Sequence, residues 1–176
     1  MILAPRLAFL AFAACASSQA MAGDRATASG TASATLVDPI TLRAVEALQF
    51  GVLAVGESGS GAITVDPDSG ASIIAGAVGS LCPAGAGCFA RPALFAVTGE
   101  AGRHYRVDAP ATALALHDHA GSSLAVSSIT LSQGLVRRTL DDGGQDSFRV
   151  GGTLAIPAGT RPGIYTAELA VVVSYD

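Results

Sequence analysis

The stretch "RPGIYTAELAVVVSYD" (161–176) closes the chain. Tyr165, Ala167, Leu169, Val171, Val173 and Tyr175 alternate with Ile164, Thr166, Glu168, Ala170, Val172 and Ser174. In an extended chain successive side chains point to opposite faces, so this period of two predicts a strand with one continuous apolar row. Between 169 and 175 there is no charge and no proline. A strand so apolar at the end of a chain has to be covered by something. Which neighbour covers it is the question that the rest of the sequence must address.

The same alternation runs outward from this stretch, and helical periodicity is almost absent. "ATASGTASATL" (26–36) places Ala26, Ala28, Gly30, Ala32, Ala34 and Leu36 on one face and Thr or Ser on the other. It reads as a half-buried strand with little apolar area. Further strands are expected at "ITLRAV", "LQFGVL" (48–53), "AITVD" (62–66), "ALFAVTG" (93–99), "HYRVDA" (104–109), "TALALH" (112–117), "LAVSSITLS" (124–132) and "SFRVGGTLAI" (147–156). Between them, "GESGSG", "DPDSG", "CPAGAGC", "HDHAGSS" and "DDGGQD" are rich in Gly, Asp and Ser, the residues of turns. Short strands punctuated in this way predict an all-β protein, an Ig-like antiparallel β-sandwich of about eight strands or more. No substantial helix is expected after the first 22 residues. Phe50, Phe89, Phe95, Tyr105, Phe148 and Tyr165 are the expected large fillers of a core otherwise made of small and medium residues.

The first residues read differently. Arg6 precedes an apolar run from Leu7 to Ala16, too short to span a bilayer, and Ala20-Met21-Ala22 offers a small-x-small cleavage site. Residues 1–22 are thus expected to be a secretory signal peptide, with 23–176 forming one sandwich domain. The alternative is retention of a lipid on Cys15, which follows Phe12-Ala13-Ala14. No other run is long enough for a transmembrane helix. The expected location is the periplasm, the cell surface or the medium. All ten basic residues are arginine. Removal of Arg6 leaves nine against fourteen acidic residues, a net charge of −5 that offers nothing to nucleic acid or anionic lipid. Two cysteines remain in the exported chain, Cys82 and Cys88, and an exported protein with one close pair is expected to join them in a disulfide.

Residues that carry chemistry do not assemble into a catalytic pattern. His117, Asp118 and His119 put two imidazoles on one face of a strand, half of a zinc site, with no further ligands evident. "DPDSG" (66–70) and "DDGGQD" (141–146) have oxygen ligands that suit calcium but lack a closing glutamate, and both serve equally as turns. "GESGSG" (56–61) fails the spacing of a nucleophile elbow. The acids lie mostly in turns; only Glu46, Asp108 and Glu168 are near strands. The sequence therefore points to a protein without catalytic, cofactor-binding or metal-binding residues.

Taken in order, "ATASGTASATLVDPITL", "LQFGVLAVG", "GAITVDP", C-x5-C, "FAVTG", "FRVGGTLAI" and "GIYTAELAVVVSY" resemble small secreted bacterial proteins known as domain of unknown function family 4402. The end of the chain also resembles pilus subunits that are assembled by a periplasmic chaperone and an outer-membrane usher. Those subunits carry a glycine fourteenth from the C-terminus and a tyrosine next to last, the positions of Gly163 and Tyr175. The resemblance implies strand addition: a chaperone lends a strand, and the N-terminal arm of the next subunit then replaces it. Residues 24–36 would be that arm, although it offers alanines where pilin arms carry bulky residues, and the cysteine pair is placed differently. Gly163 would permit a close backbone approach. Tyr165, Leu169, Val171, Val173 and Tyr175 would fill the core or dock a partner. Expected partners are copies of itself or related subunits and a periplasmic chaperone. The competing expectation is a monomeric secreted or lipid-anchored binding module, an adhesin or glycan binder that uses the loops near Cys82–Cys88 and His117–His119.

Overall fold

A computed structural model describes residues 27–56, 59–82, 88–110 and 113–176. The expected signal peptide and Cys15 lie outside the described residues. The chain falls into two units, Met1–Thr35 and Leu36–Asp176. In the first, residues 27–35 are exposed and form no strand ladder among the described residues. The half-buried strand expected there is thus corrected: alanine and glycine have too little apolar surface to hold a strand to a core.

The second unit is all β. Its strands are β1 (Thr41–Glu46), β2 (Leu53–Val55), β3 (Gly61–Val65), β4 (Ser72–Gly76), β5 (Val78–Ser80), β6 (Ala93–Thr98), β7 (His104–Asp108), β8 (Leu114–His117), β9 (Ser123–Leu131), β10 (Arg137–Thr139), β11 (Gln145–Ile156) and β12 (Val172–Tyr175). The only helical element among the described residues is a short 3-10 turn, Ser132–Gly134. Every ladder is antiparallel.

Strand β11 organises the larger sheet. Val150 pairs with both Ala93 of β6 and Leu131 of β9, and Thr153 with both Thr64 of β3 and Ser127 of β9. A residue has one partner on each edge, so β9 takes one edge of β11 while β6 and then β3 share the other. Gly151 sits at the handover. A Cβ there would collide with the Val65 carbonyl and lie 2.8 Å from Pro67 Cδ, so only glycine lets the two strands meet. β1 continues this sheet beyond β6, β4 beyond β3, and β8 beyond β9. A second sheet, in the order β10-β7-β12, and a small β2-β5 pair complete the sandwich.

Alternation decides what each sheet buries. Tyr105 and Val107 of β7 pack with Val97 of β6, Phe148 and Val150 of β11 and Leu140. Phe95 and Phe148 stack with their ring centres 5.4 Å apart. A second cluster joins Ile63 and Val65, Leu124 and Val126, Leu154 and Ile156, and Phe50. Each of these side chains contributes roughly 1.5–3 kcal/mol by leaving water. Phe89, expected in the core, is 50% exposed; it follows the disulfide in a stretch with no strand register to turn it inward. The expected strand 48–53 is likewise reduced to a single bridge, Gln49 to Arg91, ahead of β2.

A candidate assembly edge

The expected terminal strand, 163–176, is only partly laddered. β12 pairs with β7 from Val172↔Asp108 to Tyr175↔Tyr105. Before it, Thr166 makes one bridge to His117, and 167–171 have no ladder partner among the described residues. The reason lies opposite: β7 ends at Asp108 and Pro110 follows, which has no N–H to donate. The facial alternation nevertheless persists. Leu169, Val171, Val173 and Tyr175 are half-buried against the first core cluster and Tyr165 against the second. Ala167, in the same row, is exposed.

Among the described residues β12 has one ladder neighbour, β7, and β1 has one, β6. Each is therefore the open edge of its own sheet. The two strands meet across one flank of the sandwich, so both open edges border the same seam.

At its C-terminal end the seam is tied. Tyr175 Oη donates to the Asp38 carbonyl (2.8 Å) and accepts from the Glu100 amide (2.6 Å). The Asp38 amide donates to Glu100 Oε2 at 2.9 Å. The Arg103 guanidinium lies 5.4 Å from the centre of the Tyr175 ring, a cation–π distance. Gly99 leaves the room that the tyrosine hydroxyl takes, since a Cβ there would collide with it. Arg137 forms an ion pair with Asp176.

At its other end the seam opens into an apolar cleft of about 980 Å³ between 47–55 and 160–167, floored by Leu116, Leu124, Leu154 and Ile156. Tyr165 and Gly163 line it. Tyr165 Oη donates only to the nearby Arg161 carbonyl (2.8 Å). A Cβ on Gly163 would meet Asp118 Oδ2 at 3.5 Å and Tyr165 Cε2 at 3.6 Å, ordinary contacts, so among the described residues nothing requires a glycine there. Cys82 and Cys88 are joined in a disulfide with their Cα atoms 5.5 Å apart, and Cys88 lines the cleft. Val52, Leu81 and Ile164 line it too and are 49%, 60% and 78% exposed.

The residues with chemical promise act as turn acceptors. Asp118 Oδ1 accepts from the Ala120 and Ser122 amides, while His117 sits at the end of β8 and His119 is exposed. Desolvation opposes ionisation of Asp118, but hydrogen bonds from Ser122 and Ala120 and the charge of Arg161 together hold its carboxyl below the usual range. Asp66 Oδ1 accepts from the amides of Ser69 and Asp68 and from the Ser69 hydroxyl, which lowers its pKa. Asp141 Oδ1 accepts from Gly143 and Gln145. Among the described residues no group of three or more His, Cys, Asp or Glu is placed to hold a metal ion.

One polar network escaped the sequence. Asp146 of β11 accepts from Tyr105 Oη (2.8 Å), Arg138 Nε (2.7 Å) and Arg138 Nη2 (3.2 Å), and Arg138 also reaches the Ser147 carbonyl. Burial and then the Asp146 carboxylate push the Tyr105 hydroxyl well up. Desolvation works against the Asp146 charge, yet Arg138 and Tyr105 keep its pKa lowered. The network ties the two sheets together. The adjacent pair Arg137-Arg138 was its one visible sign, and its acidic partner was hidden in a turn motif.

Fold and edge together define an all-β, antiparallel β-sandwich with an open seam along one flank and a disulfide beside its cleft. Within that class a family model described as a domain of unknown function, DUF4402, matches residues 40–175, and the chain belongs to this family. The match begins at Ile40 and leaves 26–36 outside it. No significant match was found among curated proteins or among solved structures. Among the described residues no helix is long and apolar enough to cross a membrane.

Proposed function

We propose that this chain is an exported, non-catalytic structural protein of the cell envelope or surface that assembles with like subunits by strand donation. One observation carries the reading: the half-buried side chains Tyr165, Leu169, Val171, Val173 and Tyr175 lead into β12, which among the described residues is the edge strand of its sheet and borders the edge strand β1, in a chain whose residues 27–35 alternate in sequence and form no ladder among the described residues. Strand addition satisfies both halves of that arrangement, because main-chain hydrogen bonds complete the edge and alternate side chains fill the seam. The disulfide and the lack of a membrane-crossing helix among the described residues fit export. A periplasmic chaperone is the partner that would cover the edge before assembly.

The test compares the mature protein with a form that lacks 24–36, by size-exclusion chromatography and electron microscopy. Full-length protein should form oligomers or fibres, and the truncated form should stay monomeric with lower stability. A truncated protein that assembles as well as the full chain overturns the reading.

The apolar cleft supports a second reading, a monomeric binding module. Its aliphatic floor suits a hydrophobic ligand better than a glycan. Ligand-dependent stabilisation of a strictly monomeric protein would favour it.

A further inference from the structure

We infer that β4 is a self-pairing edge. Two copies of the chain join antiparallel across a two-fold axis at Ile73, so that Ile73 faces the second copy's Ile73 and Ser72 pairs with its Ile74. The contact uses a different edge from 165–175 and does not rest on strand donation.

The directions of the backbone groups come first. Among the described residues β4 has one ladder neighbour, β3, with Val65↔Ser72, Thr64↔Ile73 and Ile63↔Ile74 in register. At the two ends of this hairpin the Asp66 amide donates to the Ala71 carbonyl (2.9 Å) and the Ala77 amide to the Ser60 carbonyl (3.1 Å). In an antiparallel ladder alternate residues turn both backbone groups to the same neighbour. Ala71, Ile73 and Ala75 therefore turn theirs to β3. Ser72 and Ile74 turn their N–H and C=O groups outward, where no strand meets them among the described residues.

This edge also lacks the devices that protect an edge. Exposed edges are normally blunted by charge or proline, or covered. β1 carries Arg43 and Glu46, and β10 carries Arg137 and Arg138. β8 is bridged at His117 to Thr166, β12 borders β1 and is tied at Tyr175, and β2 has only three residues. From Ser69 to Leu81 there is neither charge nor proline, in a chain that is 14% charged. Ile74 packs on the second core cluster, whereas Ile73, on the opposite face, is 67% exposed.

The absence of charge points to a second copy. A two-fold contact brings the same patch of both molecules together, so a charge in it would meet a like charge. A partner of another kind is selected by complementary charge, and this edge offers none. The register follows from the shape of the edge. The ladder starts at Ala71, and Gly76, with a left-handed φ of 79°, bends it, so the straight run is 71–75 with Ile73 at its middle. A two-fold axis at Ile73 makes the outward groups of Ser72 and Ile74 meet and exchange both hydrogen bonds. The two Ile73 side chains then sit in a non-hydrogen-bonded pair, where cross-strand side chains are closest. The acidic turn Asp66–Asp68 of each copy lies toward the uncharged Ala77–Val78 end of the other, away from its own twin. The larger sheets of the two copies become one. The contact is short, so pairing depends on concentration: a dilute chain without 24–36 stays monomeric.

Cα atoms of a non-hydrogen-bonded pair lie about 4.5 Å apart, within reach of a disulfide. The experiment uses mature chains with one added cysteine, Cys82 and Cys88 left paired, and reads cross-links on non-reducing gels. Ile73→Cys alone should give covalent dimers. Ala71→Cys alone and Ala75→Cys alone should not, but the two mixed under different tags should give dimers that contain both. No dimer from Ile73→Cys, or as much from Ala71→Cys alone, overturns the inference. In sedimentation velocity over a concentration series, Ile73→Lys should keep the parent's melting temperature and need at least a tenfold higher concentration to pair. Pairing at the parent's concentration overturns the inference as well. Removal of 24–36 abolishes strand donation but should leave the Ile73→Cys dimer, so either reading can fail without the other.

Discussion

The two ends of the segment 163–176 carry the same pattern and live in different surroundings. At Tyr175 the segment is laddered to β7, hydrogen-bonded to the root of β1 and to the turn after β6, and covered by Arg103. At Gly163 it has one bridge, a turn-local tyrosine hydroxyl and a cleft rimmed by exposed apolar side chains. Alternation specifies which face an extended chain turns inward. It does not specify how much of the fold reaches that face, and the difference between the two ends is a difference in neighbours.

The largest expected effect breaks the comparison directly. Tyr175→Ala removes half-buried packing and two hydrogen bonds, and should destabilise the domain by about 3 kcal/mol in denaturant unfolding. Tyr165→Ala at the open end should cost about 1 kcal/mol, because part of its ring surface gains no partner on folding. Equal costs would mean that the ends are equally closed. Next comes the disulfide: replacing Cys82 and Cys88 by alanine should cost about 2 kcal/mol by loss of the chain constraint. Hydrogen exchange should then quicken at Leu53–Val55, beside the cleft, and remain slow at Val172–Tyr175.

A third measurement concerns the closed end and pH. The Asp146 carboxyl is held below its ordinary pKa in the folded state. Its contribution is therefore complete above the unfolded value, about 3.9, and is lost as the pH falls through the folded value. Asp146→Asn should lower stability at neutral pH and flatten its decline on acidification, measured by thermal unfolding from pH 6 downward. An unchanged acid slope would mean that Asp66 and Asp118, also lowered, account for it instead.

The sequence made the β class and most core strands legible because strand burial depends on one local variable, the parity of position. Ile63, Val65, Phe95, Val97, Tyr105, Val107, Phe148 and Val150 all follow it. Where parity carries no burial, legibility ended. β4 sets its two isoleucines side by side among mostly exposed residues, and β5 and β10 are three residues each, so none of them shows an alternation. Pairing is not local at all: nothing near Tyr175 in sequence announces Asp38 or Glu100, and nothing near Asp146 announces Arg138 as its partner rather than solvent. The interruption of the terminal ladder was readable only from across the sheet, at Pro110.

The smallest expected effect bears on Gly163. Its backbone is not in the left-handed region, and a Cβ would make only ordinary contacts with Asp118 and Tyr165. By those facts Gly163→Ala should leave the monomer unchanged or stabilise it by about 0.4–1 kcal/mol, since alanine restricts the unfolded chain more than glycine does. On the strand-donation reading proposed above, a glycine at the mouth of the cleft admits the close approach of another backbone. Gly163→Ala should therefore weaken oligomer formation while the isolated domain melts at the same temperature or higher. A variant that assembles as the parent does would leave Gly163 without a role in the seam and confine the assembly edge to 165–175.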